Sequence, residues 1–345
     1  MIHIDGSVGE GGGQILRTSL AISAALGVPF TISNIRKGRD KPGLMRQHLT
    51  AVQAAQRICD AQVTGASVGS TQLTFTPGTL HGGEFTFSIG TAGSTTMVMQ
   101  AILPALMVAP HPAKVTIEGG THQTHAPPYE FFAKALVPLM NRMGAKVTAR
   151  LDRHGFYPAG GGRIVVEIKP TTALAPLHLL ERGERGKARL TILIAKLSMN
   201  IAMREREKIA EKLPIEAPPQ CIEYIEASHS AGNVVLVEVP SERVTEVFSS
   251  LGEVGRPAEA VCDDVVREVR QYIASDAAVA KHLADQLMAP MAIAAALTKQ
   301  PGGAFTTLPL SMHAKTNIDT IKAMAGVTCH AQGVGGDKLQ RVEIG

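Results

Sequence analysis

The sequence predicts a mixed α/β (α+β) fold made of repeated small α/β units, with a further small α/β domain inserted among them. Three observations carry this. Tryptophan is absent and aromatic residues make up only 4% of 345 residues, so the core must be aliphatic, with small residues letting helices lie close on a sheet. The order helix, strand, helix, strands recurs with a spacing of roughly 80 to 90 residues, longer than that of solenoid repeats. The stretch 183–276 breaks this rhythm with a more charged composition. At 45% hydrophobic and 19% charged, the chain has the balance of a folded protein and not of a disordered one.

The elements follow in order. Residues 11–26 read as a helix opened by a glycine loop, then come a strand at 28–35, a helix at 42–59 and strand signal across 63–75. The second copy runs as strand 84–89, a glycine turn, helix 95–108, strand 114–118, helix 127–143 and strands across 146–168. The third has helix 282–299, strand 304–309, helix 316–324 and strands across 327–344. Residues 1–182 are therefore expected to hold repeats one and two of a large domain, 183–276 an inserted small domain, and 277–345 the third repeat. The insertion opens on the charged run GERGKAR and carries a helix near 203–213 whose Arg, Glu and Lys side chains mark a solvated face. It is expected to be a separate compact unit that supplies no nucleophile and whose removal leaves the repeats able to bind a nucleotide, because long surface insertions cost little closure entropy.

The formal charge is +4, so a nucleic-acid partner must be held by a local basic patch and not by a uniformly basic surface. Cys59, Cys221, Cys262 and Cys329 form no CxxC pair, which argues against a zinc ribbon or a dithiol redox site and fits reduced thiols in a cytoplasmic protein. The start lacks the basic-then-apolar layout of a signal peptide. The longest apolar stretch, 97–109, is interrupted by Gln100 and too short to span a bilayer, so no membrane partner is expected.

The densest motif is Asp5-Gly-Ser-Val-Gly-Glu10-Gly-Gly-Gly-Gln14-Ile-Leu-Arg17, a glycine loop running into a helix. Such a loop lays backbone N–H groups against a phosphate. It lacks the Gly-Lys-Ser/Thr of a Walker A loop, and Gln14 stands where the dinucleotide fingerprint has its last Gly. A tight strand-to-helix turn explains the glycines alone. It does not explain Glu10, Gln14 and Arg17 gathered at one helix opening, where a carboxylate suits a divalent metal and an arginine suits phosphate. A second cluster, Arg36-Lys-Gly-Arg39-Asp-Lys-Pro-Gly-Leu-Met-Arg46-Gln47-His48, has five cationic side chains in the eleven residues from Arg36 to Arg46 and leads into a helix N-terminus. The pair His122 and His125 has no evident third ligand, and the reading preferred for it is an ordinary surface pair. Met97, Gln100, Ala101 and Pro104 form a core-packing stripe in which Gln100 is the member able to face a ligand.

These motifs, with Gly90-Thr-Ala-Gly-Ser94, Gly119-Gly-Thr, Ala126-Pro-Pro128, His154-Gly-Phe-Tyr-Pro-Ala-Gly-Gly-Gly162 and Leu283-Ala-Asp-Gln-Leu287, resemble the RNA 3'-terminal phosphate cyclase family nearly end to end. The resemblance implies three repeats of two helices on a four-stranded sheet, with a small domain inserted before the last repeat. It also implies ATP and Mg2+ (or Mn2+) as cofactors and an RNA 3'-phosphate end as substrate. His313, in Leu310-Ser-Met-His-Ala-Lys-Thr316, matches the family's nucleophile, which takes AMP from ATP as a phosphoramidate. AMP would then pass to the RNA 3'-phosphate, and the vicinal 2'-hydroxyl would expel it to close a 2',3'-cyclic phosphate. The local pattern places His313 in a loop after a strand, ahead of a helix opened by Thr316 and Asp319 as a capping box.

By the same transfer, Glu10 would contact metal and triphosphate. Gln14, Arg17, Gln100, Pro127, His282 and Asp285 would surround the nucleotide, and Arg36, Arg39 and Gln47 the RNA phosphate. The family commonly carries a base-stacking Tyr ahead of the Leu-x-Asp-Gln run, and His282 takes that place here. Two other readings compete. One is a non-catalytic RNA-binding relative, which would be expected to lack the nucleophile; the other is an enolpyruvyl transferase on the same repeat, which would form no protein-AMP adduct. The oligomeric state is left open.

Overall fold

The computed structural model describes residues 1–9, 11–334 and 338–345. The first unit runs β1 (Ile2–Asp5), α1 (Gln14–Leu26), β2 (Phe30–Ser33), α2 (Arg46–Ile58), β3 (Gln62–Thr64) and β4 (Leu73–Thr76). The second runs β5 (Gly83–Ser88), α3 (Thr95–Leu106), β6 (Ala113–Gly119), a π-helical turn (Phe131–Leu136) leading into α4 (Val137–Arg142), β7 (Lys146–Arg153) and β8 (Gly162–Lys169). Both sheets share one topology. Their first two strands in chain order pair in parallel across a helix, and the remaining pairings are antiparallel, in the orders β1-β2-β4-β3 and β5-β6-β8-β7. Local chemistry sets the helix ends: α1 stops at Gly27, in the left-handed region at φ 70°, and Ser94 caps α3 by accepting from the Met97 N–H at 3.2 Å.

β9 (Leu177–Leu179) follows, then β10 (Arg189–Ala195), α5 (Met199–Lys212), β11 (Ile222–Tyr224), β12 (Gly232–Pro240), β13 (Thr245–Leu251) and α6 (Ala258–Ile273). The chain closes with α7 (Lys281–Thr298), β14 (Gly303–Thr307), α8 (Met312–Ala325), β15 (Cys329–Gly333) and β16 (Gln340–Ile344). β10 to β13 form one sheet, ordered β11-β10-β12-β13. The remaining strands form another, β15-β16-β14-β9, in which β9 and β14 pair in parallel. The third unit thus begins with β9, ahead of the insertion and ahead of the helix at which the periodicity opened it. A strand of three residues is too short to show a period in sequence.

The helices of the three units meet: α1 packs against α2, α3, α7 and α8, so residues far apart in sequence converge at its N-terminal end. The insertion's sheet is divided between two cores by its alternation. Leu193, Ala195, Val234, Leu236 and Val247 join the core of the repeats, whereas Ile192, Ile194, Val235 and Val237 pack under α5 and α6. The insertion thus shares one sheet face with the repeats and keeps a core of its own on the other. All four cysteines are buried and unpaired, and no helix among the described residues is long and apolar enough to cross a membrane.

Candidate active site

A cleft of about 650 Å3 opens where the helix ends of all three units meet one face of the insertion. Among the described residues, every sequence-predicted site residue lines it: Gln14, Arg17, Arg36, Arg39, Gln47, Gln100, Pro127, His282, Asp285 and His313. Glu10 lies outside the described residues.

The glycine loop shapes one wall. Gly9, at φ 63°, sits so close to Thr316 of α8 that a Cβ would strike its hydroxyl, and Gly13 leaves the same room for the His48 ring and Arg17. Among the described residues no side chain caps α1, which leaves its first N–H groups to an anion. Burial pulls Arg17 down to about 10, which still leaves it cationic at neutral pH. No ion-pair partner holds Arg17 among the described residues. Arg36 is turned inward, donating from Nη1 to the carbonyls of Lys41 at 2.6 Å and Gly43 at 3.0 Å, so it orders the loop that presents the exposed Arg39. Gln47 accepts from the Ser94 N–H at 2.7 Å and donates to Met97 Sδ at 3.2 Å, tying α2 to the start of α3.

The opposite wall belongs to the third unit. Here the expected loop placement of His313 is corrected. α8 starts at Met312, so His313 lies in its first turn, and Ser311 is the cap, accepting from the Ala314 N–H at 3.0 Å. Thr316 is buried within the helix, its hydroxyl donating to the Met312 carbonyl at 2.8 Å. A buried mid-helix threonine that bonds back one turn is unavailable as a cap. Ser311 also donates to both Asp285 oxygens at 3.4 Å. Behind this contact, Thr18 Oγ1 donates to Asn317 Oδ1 at 2.6 Å, and Asn317 Nδ2 donates to the Asp285 carbonyl at 3.0 Å. α1, α7 and α8 are thereby locked together beneath the site.

Burial lifts the Asp285 carboxyl to about 7, against the opposing charge of His313 and the Ser311 bond. His313 is held below its ordinary value, first by partial burial and then by Arg17 and Arg39, with Asp285 opposing. It is therefore mostly neutral at pH 7, the form in which imidazole is a nucleophile. His282 is more than half exposed and lies 4.0 Å from Glu268, which also receives Lys281 at 2.7 Å. The Pro127 carbonyl accepts from Thr96 at 2.7 Å, anchoring the proline in the wall.

Several residues that line the cleft escaped the sequence reading. His48 is buried and pushed down to about 3 by that burial, then by Arg17 and Arg36, and its Nδ1 accepts from the Met45 N–H at 3.3 Å. Neutral His48 therefore carries its proton on Nε2, the nitrogen beside Gly13. Its adjacency to Gln47 was the available signal. Val247, Phe248, Ser249 and Leu251 of β13 and Glu268 of α6 also line the cleft, so the insertion is part of its wall. Closure entropy says nothing about what an insertion packs on. His122 is fully buried and bonded to Glu130 at 2.7 Å, which corrects the surface reading, while His125 lines the cleft. Among the described residues no group of three His, Cys, Asp or Glu side chains forms a metal cage. Asp285 and Glu268 are the carboxylates of the described cleft lining, and a carboxylate there suits a divalent cation.

A sequence profile described as RNA 3'-terminal phosphate cyclase matches residues 8–331. Proteins of that name from Koribacter versatilis, Ralstonia nicotianae and Ectopseudomonas mendocina are similar to the chain at 48%, 44% and 45% identity. The alignments cover 95%, 99% and 94% of this chain and 91%, 97% and 93% of those proteins.

Proposed function

The chain belongs to the RNA 3'-terminal phosphate cyclase family, and on that premise we propose that it uses ATP to convert an RNA 3'-phosphate into a 2',3'-cyclic phosphate through a covalent His313-AMP intermediate and an RNA-adenylate. The observation that carries this reading is His313 itself, capped into the first turn of α8 beside Asp285, in one cleft with Gln14, Arg17, Arg39 and Gln100.

Neutral His313 attacks the α-phosphorus and pyrophosphate leaves, so the ring becomes cationic until its other nitrogen loses a proton. Asp285, near 7, is suited to balance that charge or take the proton. A 3'-phosphate oxygen then attacks the adenylyl phosphorus and releases His313, which regains its proton. In the last step the 2'-hydroxyl oxygen attacks the 3'-phosphorus, its proton passing to water, and the P–O bond to AMP breaks. Arg17 and Arg39 neutralise phosphate charge, and Arg36 keeps the loop of Arg39 in place. Mg2+ (or Mn2+), bound by triphosphate oxygens with Asp285 or Glu10, would supply Lewis-acid charge neutralisation. Four unpaired, buried thiols support a reducing, cytoplasmic setting.

Intact-mass spectrometry after incubation with ATP and a divalent metal, without RNA, tests the reading. One added AMP is expected, labile to acid, stable to alkali and absent in His313→Ala. An adduct on His313→Ala would move the nucleophile elsewhere, and no adduct on the unaltered protein with any nucleotide or metal would favour a non-catalytic RNA-binding role.

A further inference from the structure

A second cavity, of about 740 Å3, lies on the seam between the insertion and the second unit, outside the site described above. Its rim carries Lys134, Arg185, Lys187 and Arg189, and its floor is apolar, with Leu190 and Ile215. Two carboxylates share the rim. Glu238 is paired by Lys134, and Glu216 by Lys187 at 3.0 Å. Arg185 and Arg189 are exposed and have no acidic partner among the described residues.

Strand register joins this cavity to the cleft. Val247, in the cleft wall, pairs with Glu238 on β12, and Glu238 pairs with Arg189 on β10. Directly opposed residues share one face of a sheet, and two strand spacings amount to about 10 Å. That is roughly the rise of three stacked nucleotides at ~3.4 Å each. The π-helical turn makes a second connection, since Phe131 lines the cleft and Lys134, one residue-triplet further on, lines the cavity.

We infer that this seam is a second nucleic-acid subsite, which takes the backbone phosphates of the RNA strand upstream of the reacting 3' end on Arg185 and Arg189. The inference rests on the cyclase reading, because an end held at His313 must continue away from the cleft, and the seam offers uncommitted guanidinium groups along that continuation. Arginine forks match phosphodiester oxygens two at a time. Among the described residues no aromatic side chain lines the cavity, so binding here is by backbone charge and tolerant of sequence.

The test compares 3'-phosphorylated oligonucleotides of two and of about twelve nucleotides, a length within the usual single-strand site range. Fluorescence anisotropy and KM are measured for the full-length protein and for Arg185→Ala/Arg189→Ala and Arg185→Glu/Arg189→Glu. For the longer strand, affinity is expected to fall about tenfold in the alanine variant and further in the glutamate variant, and its salt slope to become shallower by about two. KM for the dinucleotide is expected to change far less. Equal losses for both lengths, or no loss for the longer strand, would overturn the subsite. So would inorganic phosphate competing with the twelve-mer at the seam as strongly as a second oligonucleotide does. Adduct formation with ATP alone is followed in parallel: its absence would refute the cyclase reading, while the anisotropy comparison would still decide the subsite.

Discussion

Ser311 joins Asp285 to the helix that carries His313: its hydroxyl reaches both carboxylate oxygens at 3.4 Å while accepting from the Ala314 N–H at 3.0 Å. One side chain thus sets the start of α8 and the orientation of the acid beside His313. Ser311→Ala is expected to lose a cap worth about 1 kcal/mol of stability. Adenylation of His313 should slow by about tenfold, a barrier change of ~1.4 kcal/mol. Thermal unfolding and single-turnover adenylation measure the two effects, and an adenylation rate equal to that of the unaltered protein would remove Ser311 from the positioning role.

Arg39→Ala should leave stability nearly unchanged, because the side chain is exposed on its loop. Loss of a charge-assisted phosphate contact is expected to reduce kcat/KM for a 3'-phosphorylated oligonucleotide by a factor corresponding to about 1.5 to 3 kcal/mol. Unaltered cyclisation kinetics in a folded Arg39→Ala protein would sink that assignment.

Glu246 couples pH to stability. It is buried, accepts from the Ala280 N–H at 2.5 Å, and is lifted by burial from an ordinary 4.5 to about 8. The folded chain therefore holds a proton there that the unfolded chain releases above 4.5. The stabilisation is fully present below 4.5 and is lost as pH rises through 8, by up to about 1.4 kcal/mol per pH unit. Glu246→Gln keeps an acceptor without the ionisation, and should flatten the decline in melting temperature between pH 5 and 8. An unchanged pH profile would refute this.

Replacing 183–276 with a Gly/Ser linker should abolish ATP binding. The deletion removes Val247, Phe248 and Leu251 from the cleft wall and uncovers the repeat core against which Leu193 and Val234 pack. Calorimetric titration with ATP on a soluble, folded deletion would decide it: retained affinity would show that the repeats complete the site by themselves.

Much was legible in the sequence because much of it is local. The helical spans at 95–106 and 281–298 follow from apolar periodicity, and Gly13 and Arg17 stand a few residues apart at one helix opening. The start of α8 is not legible in this way, because Thr316 and Asp319 satisfy a capping pattern in the sequence. Ser311 competes for the same role, and only packing against Asp285 and Gly9 decides between them.

The sequence by itself determined the repeat order, the aliphatic cores and the residue types able to meet phosphate, since these depend on neighbours within a turn or two. Tertiary structure alone decided that Arg17, Gln100, Asp285 and His313, drawn from three units, share one cleft. It also decided that β9 opens the third sheet from before the insertion, and that β13 supplies a wall. These contacts arise where helix ends from distant repeats converge on a shared core, and their energies depend on burial and distance in space, which no spacing along the chain records.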